Sequence, residues 1–93
     1  MEERICIHAL IQGRVQGVFF RKETKRQADA LQVTGWVKNR ADGSVEALFE
    51  GRRQDVEAVI SWCDQGPPAA DVKRVETTET PCTEAFDAFS IAW

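Results

Sequence analysis

Cysteine is scarce and odd in number in this 93-residue chain: Cys6, Cys63 and Cys82 stand far apart, without CxxC spacing, and there is a single histidine, His8. A disulfide framework and a zinc cluster both need more than this, so the three thiols read as reduced packing residues, with no connectivity among them legible from sequence. Long apolar runs are also missing. The stretch 5–11 is short and interrupted by His8, well below the roughly 20 residues of a membrane-spanning helix. The N-terminal Met1-Glu2-Glu3-Arg4 is acidic where a signal peptide carries positive charge, so a cytoplasmic address is expected. Positive charge is not in excess either: 12 Lys and Arg against 15 Asp and Glu give a formal net charge of -3. Such a chain has no general attraction for nucleic acid or an anionic membrane, and any anion it binds must be held by local geometry. Repeats, linkers and low-complexity segments are absent, which leaves residues 1–93 as one domain. With 43% hydrophobic and 29% charged residues, it is expected to fold alone as a soluble monomer that buries roughly 60 to 65% of its unfolded surface.

What is present falls into alternating elements. Residues 4–12 are rich in isoleucine and free of breakers, a buried strand that runs into a glycine-bearing loop at 13–19. Phe20, Thr24, Ala28 and Leu31 then recur at helical spacing, leaving Lys22, Glu23, Lys25 and Arg26 for the wet face. Two strands, 33–40 and 44–50, flank Ala41-Asp42-Gly43, whose Asp-Gly pair supplies the positive dihedrals of a tight turn. Gly51 is read as the end of that hairpin. Val56, Val59, Ile60 and Cys63 form a second helical stripe, closed by Gly66-Pro67-Pro68. Residues 72–78 are rich in β-branched side chains, and after Pro81-Cys82 the residues Phe89, Ile91 and Trp93 alternate at period two. Strand, helix, strand, strand, helix, strand and a terminal strand make an α+β chain. Its order matches a ferredoxin-like split βαβ sandwich, with an antiparallel sheet of four to five strands and two helices on one face.

The segment Gly13-Arg14-Val15-Gln16-Gly17-Val18-Phe19-Phe20-Arg21 joins the first strand to the first helix. A helix N-terminus presents unpaired N–H groups and partial positive charge, and glycines before it let successive amides converge on one anion, for which phosphate is the natural guest. Arg21 adds a planar fork of donors, each charge-assisted bond contributing about 1.5–3 kcal/mol. Without further information the same residues also suit a solvated arginine beside an ordinary turn.

Ile11-Gln12-Gly13-Arg14-Val15-Gln16-Gly17-Val18-Phe19-Phe20-Arg21 resembles the first signature of the acylphosphatase family, and Gly35-Trp36-Val37-Lys38-Asn39-Arg40-Ala41-Asp42-Gly43-Ser44-Val45, continuing to Gly51, resembles the second. Gly66-Pro67 and Phe89-Ser90-Ile91 also stand where the family has similar residues, so the resemblance covers roughly residues 5–91. It implies a free-standing enzyme that hydrolyses small-molecule acyl phosphates to carboxylate and phosphate, with no metal and no cofactor. The backbone amides of Val15, Gln16, Gly17, Val18, Phe19 and Phe20 would cradle the phosphoryl group, Arg21 would grip it, and Asn39 would hold the attacking water in line. An amide side chain is suited to that task, since it both donates and accepts without ionising. With a good carboxylate leaving group, positioning and charge stabilisation suffice, and a phosphate oxygen of the substrate can take the water's proton.

Other residues are read as structural. His8 lies mid-strand, away from any triad-like spacing. Lys22, Lys25 and Arg26 form a solvated face that helps to draw in a dianion. Trp36 packs, and Asp42-Gly43 serves the turn. Two departures from the family pattern stand out: Glu23, beside Arg21, where relatives carry an uncharged residue, and a complete lack of tyrosine. Competing readings remain open: a non-catalytic phosphate- or anion-binding module, or a domain of a larger carbamoyl-phosphate-handling machine, since such sandwiches serve many functions. An RNA-binding version is disfavoured by the acidic charge and by aromatics that follow no stacking motif.

Overall fold

The structure, a computed structural model, describes residues 3–92. Strand β1 (Arg4–Arg14) leads into helix α1 (Phe20–Ala30). A hairpin of β2 (Thr34–Asn39) and β3 (Val45–Arg52) follows, then helix α2 (Arg53–Gln65), the long strand β4 (Asp71–Thr80) and the short β5 (Phe89–Ile91). The five strands form one sheet in the order β4-β1-β3-β2-β5. Because β3 lies between β1 and β2 and runs antiparallel to both, the β1-α1-β2 unit is split, as the element order implies. The four long strands pair antiparallel. β5, however, joins β2 in parallel, Gly35 facing Phe89 and Val37 facing Ile91, so the sheet is mixed. Period-two alternation predicts a strand but carries no information about its partner or direction. Met1, Glu2 and Trp93 lie outside the described residues, including the last member of the alternating Phe89-Ile91-Trp93 series.

One face of the sheet carries the core. Ile5, Ala9 and Ile11 of β1, Val37 of β2, Val45, Ala47 and Phe49 of β3 and Phe89 of β5 are buried against Phe20 and Ala28 of α1 and Val56, Val59 and Cys63 of α2. The Phe49 and Phe89 rings stack at 5.6 Å between centroids, which ties the short β5 to the centre of the sheet. The predicted stripes of both helices are the buried ones, with Leu31 as the C-terminal cap of α1 rather than its last turn. Burial of these stripes, more than intrinsic propensity, holds helices of 11 and 13 residues.

Three boundaries differ from expectation, each for a local reason. Gly13 does not begin the loop: β1 runs through to Arg14, and the glycine sits opposite a bulge in β4 at Lys73, with φ 125° and the Asp71 carbonyl and Lys73 amide so close that a side chain would collide with them. Gly51 does not end the hairpin but pairs with Ile5 within β3, which passes directly into α2. In the β2–β3 turn only Gly43 has positive φ, 93°; Asp42 instead accepts hydrogen bonds from the Ser44 amide and hydroxyl, at 3.0 and 2.5 Å, an Asx-type closure.

Candidate active site

The connection from β1 to α1 is shaped by residues that alternate between core and solvent. Val15, Val18 and Phe20 are buried, exposed by 1%, 5% and 2%, whereas Gly17 and Phe19 face outward. Three buried side chains in six residues pin the backbone from below. The outward residues make the turn, Gly17 with φ 74° and Phe19, which caps α1, with φ 66° and ψ 23°. Both lie in the left-handed region, natural for glycine and uncommon for a bulky side chain. α1 has no side-chain cap, and its first backbone bond runs from the Glu23 amide to the Phe19 carbonyl at 3.0 Å. The first turn of a helix directs N–H groups beyond its own hydrogen-bond ladder, the arrangement that favours an anion at this end.

A cleft of about 410 Å³ opens beside this loop, lined by Val15, Gly17, Phe19, Phe20, Arg21 and Asn39, with Lys22 and Ile91 completing its wall. The two predicted side chains, Arg21 from the first turn of α1 and Asn39 from the end of β2, thus meet in one cavity although 18 positions separate them in sequence. Asn39 Oδ1 is buried and has no hydrogen-bond partner. Buried acceptors are normally paired, and an orphan one costs about 1–3 kcal/mol. The side chains of Gln16 and Val18 are engaged outside the cleft. Val18 enters the core, and the Gln16 amide donates to the Arg40 carbonyl at 2.8 Å and to the Ser44 carbonyl at 2.9 Å. Those two bonds clamp the loop to the β2–β3 hairpin and so fix it relative to Asn39. The side-chain role of Gln16 and the wall position of Ile91 escape sequence reasoning, because each depends on a neighbour distant in the chain.

Of the residues read as structural, Lys22 borders the cleft and the others sit elsewhere. Alternation along β1 places His8 on the sheet face away from the helices, where its Nε2 lies 2.7 Å from Glu46 Oε2 and its ring meets Trp36 edge-on. Hydrogen bonding to His8, aided by Lys38 and Arg40, holds the Glu46 carboxyl below its ordinary range against partial desolvation. Burial pushes the Cys63 thiol up to about 12. All three cysteines are unpaired, and Cys82 is half-buried rather than in the core. Lys25 and Arg26 pair with Asp29 and Glu23, at 2.7 and 3.5 Å. Glu23 does not line the cleft with Arg21; it lines a neighbouring depression. Among the described residues no group of three or more His, Cys, Asp or Glu side chains is arranged to hold a metal ion.

A family model for acylphosphatase matches residues 7–91. The chain belongs to the acylphosphatase family. An acylphosphatase of Pelotomaculum thermopropionicum is 52% identical over 90 residues, 97% of this chain and 98% of the relative. Among solved structures, an acylphosphatase from Bacillus subtilis matches with TM-score 0.92 and 36% identity over 96% of this chain and 99% of that one. One from Coxiella burnetii matches with TM-score 0.91 and 39% identity over 96% and 93%. In the structure the cleft lies where segments 11–21 and 35–51 converge, the first supplying loop and arginine and the second the asparagine. No described helix is long and apolar enough to cross a membrane.

Proposed function

We propose that the chain hydrolyses small-molecule acyl phosphates to carboxylate and phosphate, with Arg21 and Asn39 as its catalytic side chains and no requirement for a metal or cofactor. The observation that carries the mechanism is the orphan acceptor: Asn39 Oδ1 is buried and unpartnered in the cleft that also contains Arg21 and the α1 N-terminus. A water that donates one hydrogen to Oδ1 relieves that acceptor and is held with a lone pair free to attack. The phosphoryl oxygens take N–H donors from Val15, Gln16, Gly17, Val18, Phe19 and Phe20, and the Arg21 guanidinium neutralises charge shared among them in a loose, in-line transition state. The bond from phosphorus to the acyl oxygen breaks as the water oxygen bonds to phosphorus. The carboxylate leaves without protonation, and the water's proton passes to a phosphate oxygen.

The residues lining the cleft include no carboxylate and no histidine, and His8 is engaged with Glu46, which supports a mechanism without a protein base. The Asn39→Ala variant is expected to lower kcat on the order of a hundredfold or more, with a small change in KM, as removal of a nucleophile-positioning group should. The wild-type rate is expected to show no protein-derived titration near neutral pH. A bell-shaped pH profile abolished by replacing one carboxylate would contradict the proposal. We assign the activity to a cytoplasmic monomer without nucleic-acid or membrane partners; three unpaired cysteines suit a reducing compartment, and the net charge of -3 suits a site-held rather than field-held anion.

A further inference from the structure

Phe19 is the exposed large hydrophobic side chain among the described residues, with 73% of its surface open. Scattered exposed apolar residues need no explanation, but this one is held out by its backbone. The left-handed conformation at Phe19 turns its ring to solvent while Val18 and Phe20, on either side, enter the core. Such conformations in bulky residues are unfavourable and tend to mark functional positions. The outward ring forms a wall of two depressions at once. One is the cleft with Arg21 and Asn39; the other, about 450 Å³, is walled by Val18, Pro67, Pro68 and Ala69, with Lys22 and Glu23 contributing opposite charges. An in-line displacement sends the leaving group away from the attacking water, so with water on Asn39 the acyl group must extend away from Asn39. The second, largely apolar depression shares the Phe19 ring and Lys22 with the cleft, so an acyl group that leaves the cleft on that side meets the ring. A flat apolar group would stack on the ring there.

From this arrangement we infer that Phe19 is the specificity-determining contact for the acyl part of the substrate, and that the preferred substrates are acyl phosphates with an uncharged, ring-sized apolar acyl group. The inference rests on the acyl phosphate hydrolase reading above. It is tested by kcat/KM for benzoyl phosphate and acetyl phosphate with wild type, Phe19→Ala and Phe19→Gly. The glycine variant removes the ring while easing the left-handed turn, and the alanine variant removes the ring alone; any common loss from a disturbed loop cancels in the ratio of the two substrates. The benzoyl-to-acetyl ratio is expected to fall on the order of tenfold in both variants, the scale of losing one apolar contact in a pocket, and to be restored by Phe19→Trp. If both substrates lose the same factor and the ratio holds, the ring merely supports the loop and the inference is overturned while the hydrolase reading stands. Wild type that hydrolyses neither substrate ends both.

Discussion

Gln16 and Asn39 carry the same amide group to opposite ends. Gln16 Nε2 donates to two main-chain carbonyls, Arg40 and Ser44, which already accept from the Gly43 and Arg40 amides; Asn39 Oδ1 is left without a partner. The first amide fixes a loop and the second awaits a ligand. Replacing Gln16 by Ala removes two hydrogen bonds of about 0.5–1.5 kcal/mol each, so urea unfolding is expected to show a loss of about 1–3 kcal/mol, with weaker competitive inhibition by phosphate. Gln16→Glu keeps the shape but sets carboxylate oxygens against two carbonyls, and should cost at least as much on both readouts. Unchanged phosphate inhibition in both variants would show that the clamp does not position the loop. At Gly17 a methyl group would meet nothing within 4 Å, yet φ is 74°, so the penalty for Gly17→Ala is conformational, about 1–2 kcal/mol, and should appear in the same two measurements.

Each element bears the mark of what it packs against. Thr24 of α1 is fully buried and donates to the Phe20 carbonyl at 2.7 Å, so its hydroxyl is satisfied within its own helix, while Cys63 of α2 is buried in the same core. Because the folded Cys63 thiol is raised to about 12, its contribution is fully present below the unfolded thiol value of roughly 8.5 and is lost as pH rises through the folded one. Unfolding free energy measured from pH 8 upward should therefore decline, less steeply for Cys63→Ala than for wild type; equal slopes would refute this account of the buried thiol. Much at this scale was legible beforehand. The stripes Phe20-Thr24-Ala28 and Val56-Val59-Cys63 set both helices, since 3.6-residue periodicity is a property of local sequence. Arg21 was legible from its place at a helix start behind a glycine-bearing loop, a reading that the signature segment strengthened; Asn39 was legible only through the signature segment it sits in. The parallel partner of β5, the bulge opposite Gly13 and the Gln16 clamp were not, because each is fixed by contact with backbone 24 or more positions away.

For the molecule as a whole, acid tolerance rests partly on the sheet face opposite the helices. Glu46, 17% exposed in its side chain, is ringed by His8, Lys38 and Arg40 at 2.7, 3.7 and 3.6 Å. Its carboxyl is depressed in the folded state, so its stabilising share is present above the unfolded value of about 4.3 and is lost as pH falls through the lower folded one. Glu46→Gln should be less stable than wild type at pH 7, and the gap should close at strongly acid pH; a gap independent of pH would mean that shape rather than charge holds this cluster.

The central claim is that one cleft on this small sandwich hydrolyses acyl phosphates with its own side chains and amides. The most direct test is hydrolysis of benzoyl phosphate in the presence of EDTA by wild type and Arg21→Ala. We predict turnover by wild type that EDTA does not reduce, and a loss on the order of a hundredfold or more in kcat/KM for Arg21→Ala. Wild type that binds phosphate but releases no benzoate would contradict the claim and make the chain an anion-binding module that keeps the loop without the chemistry.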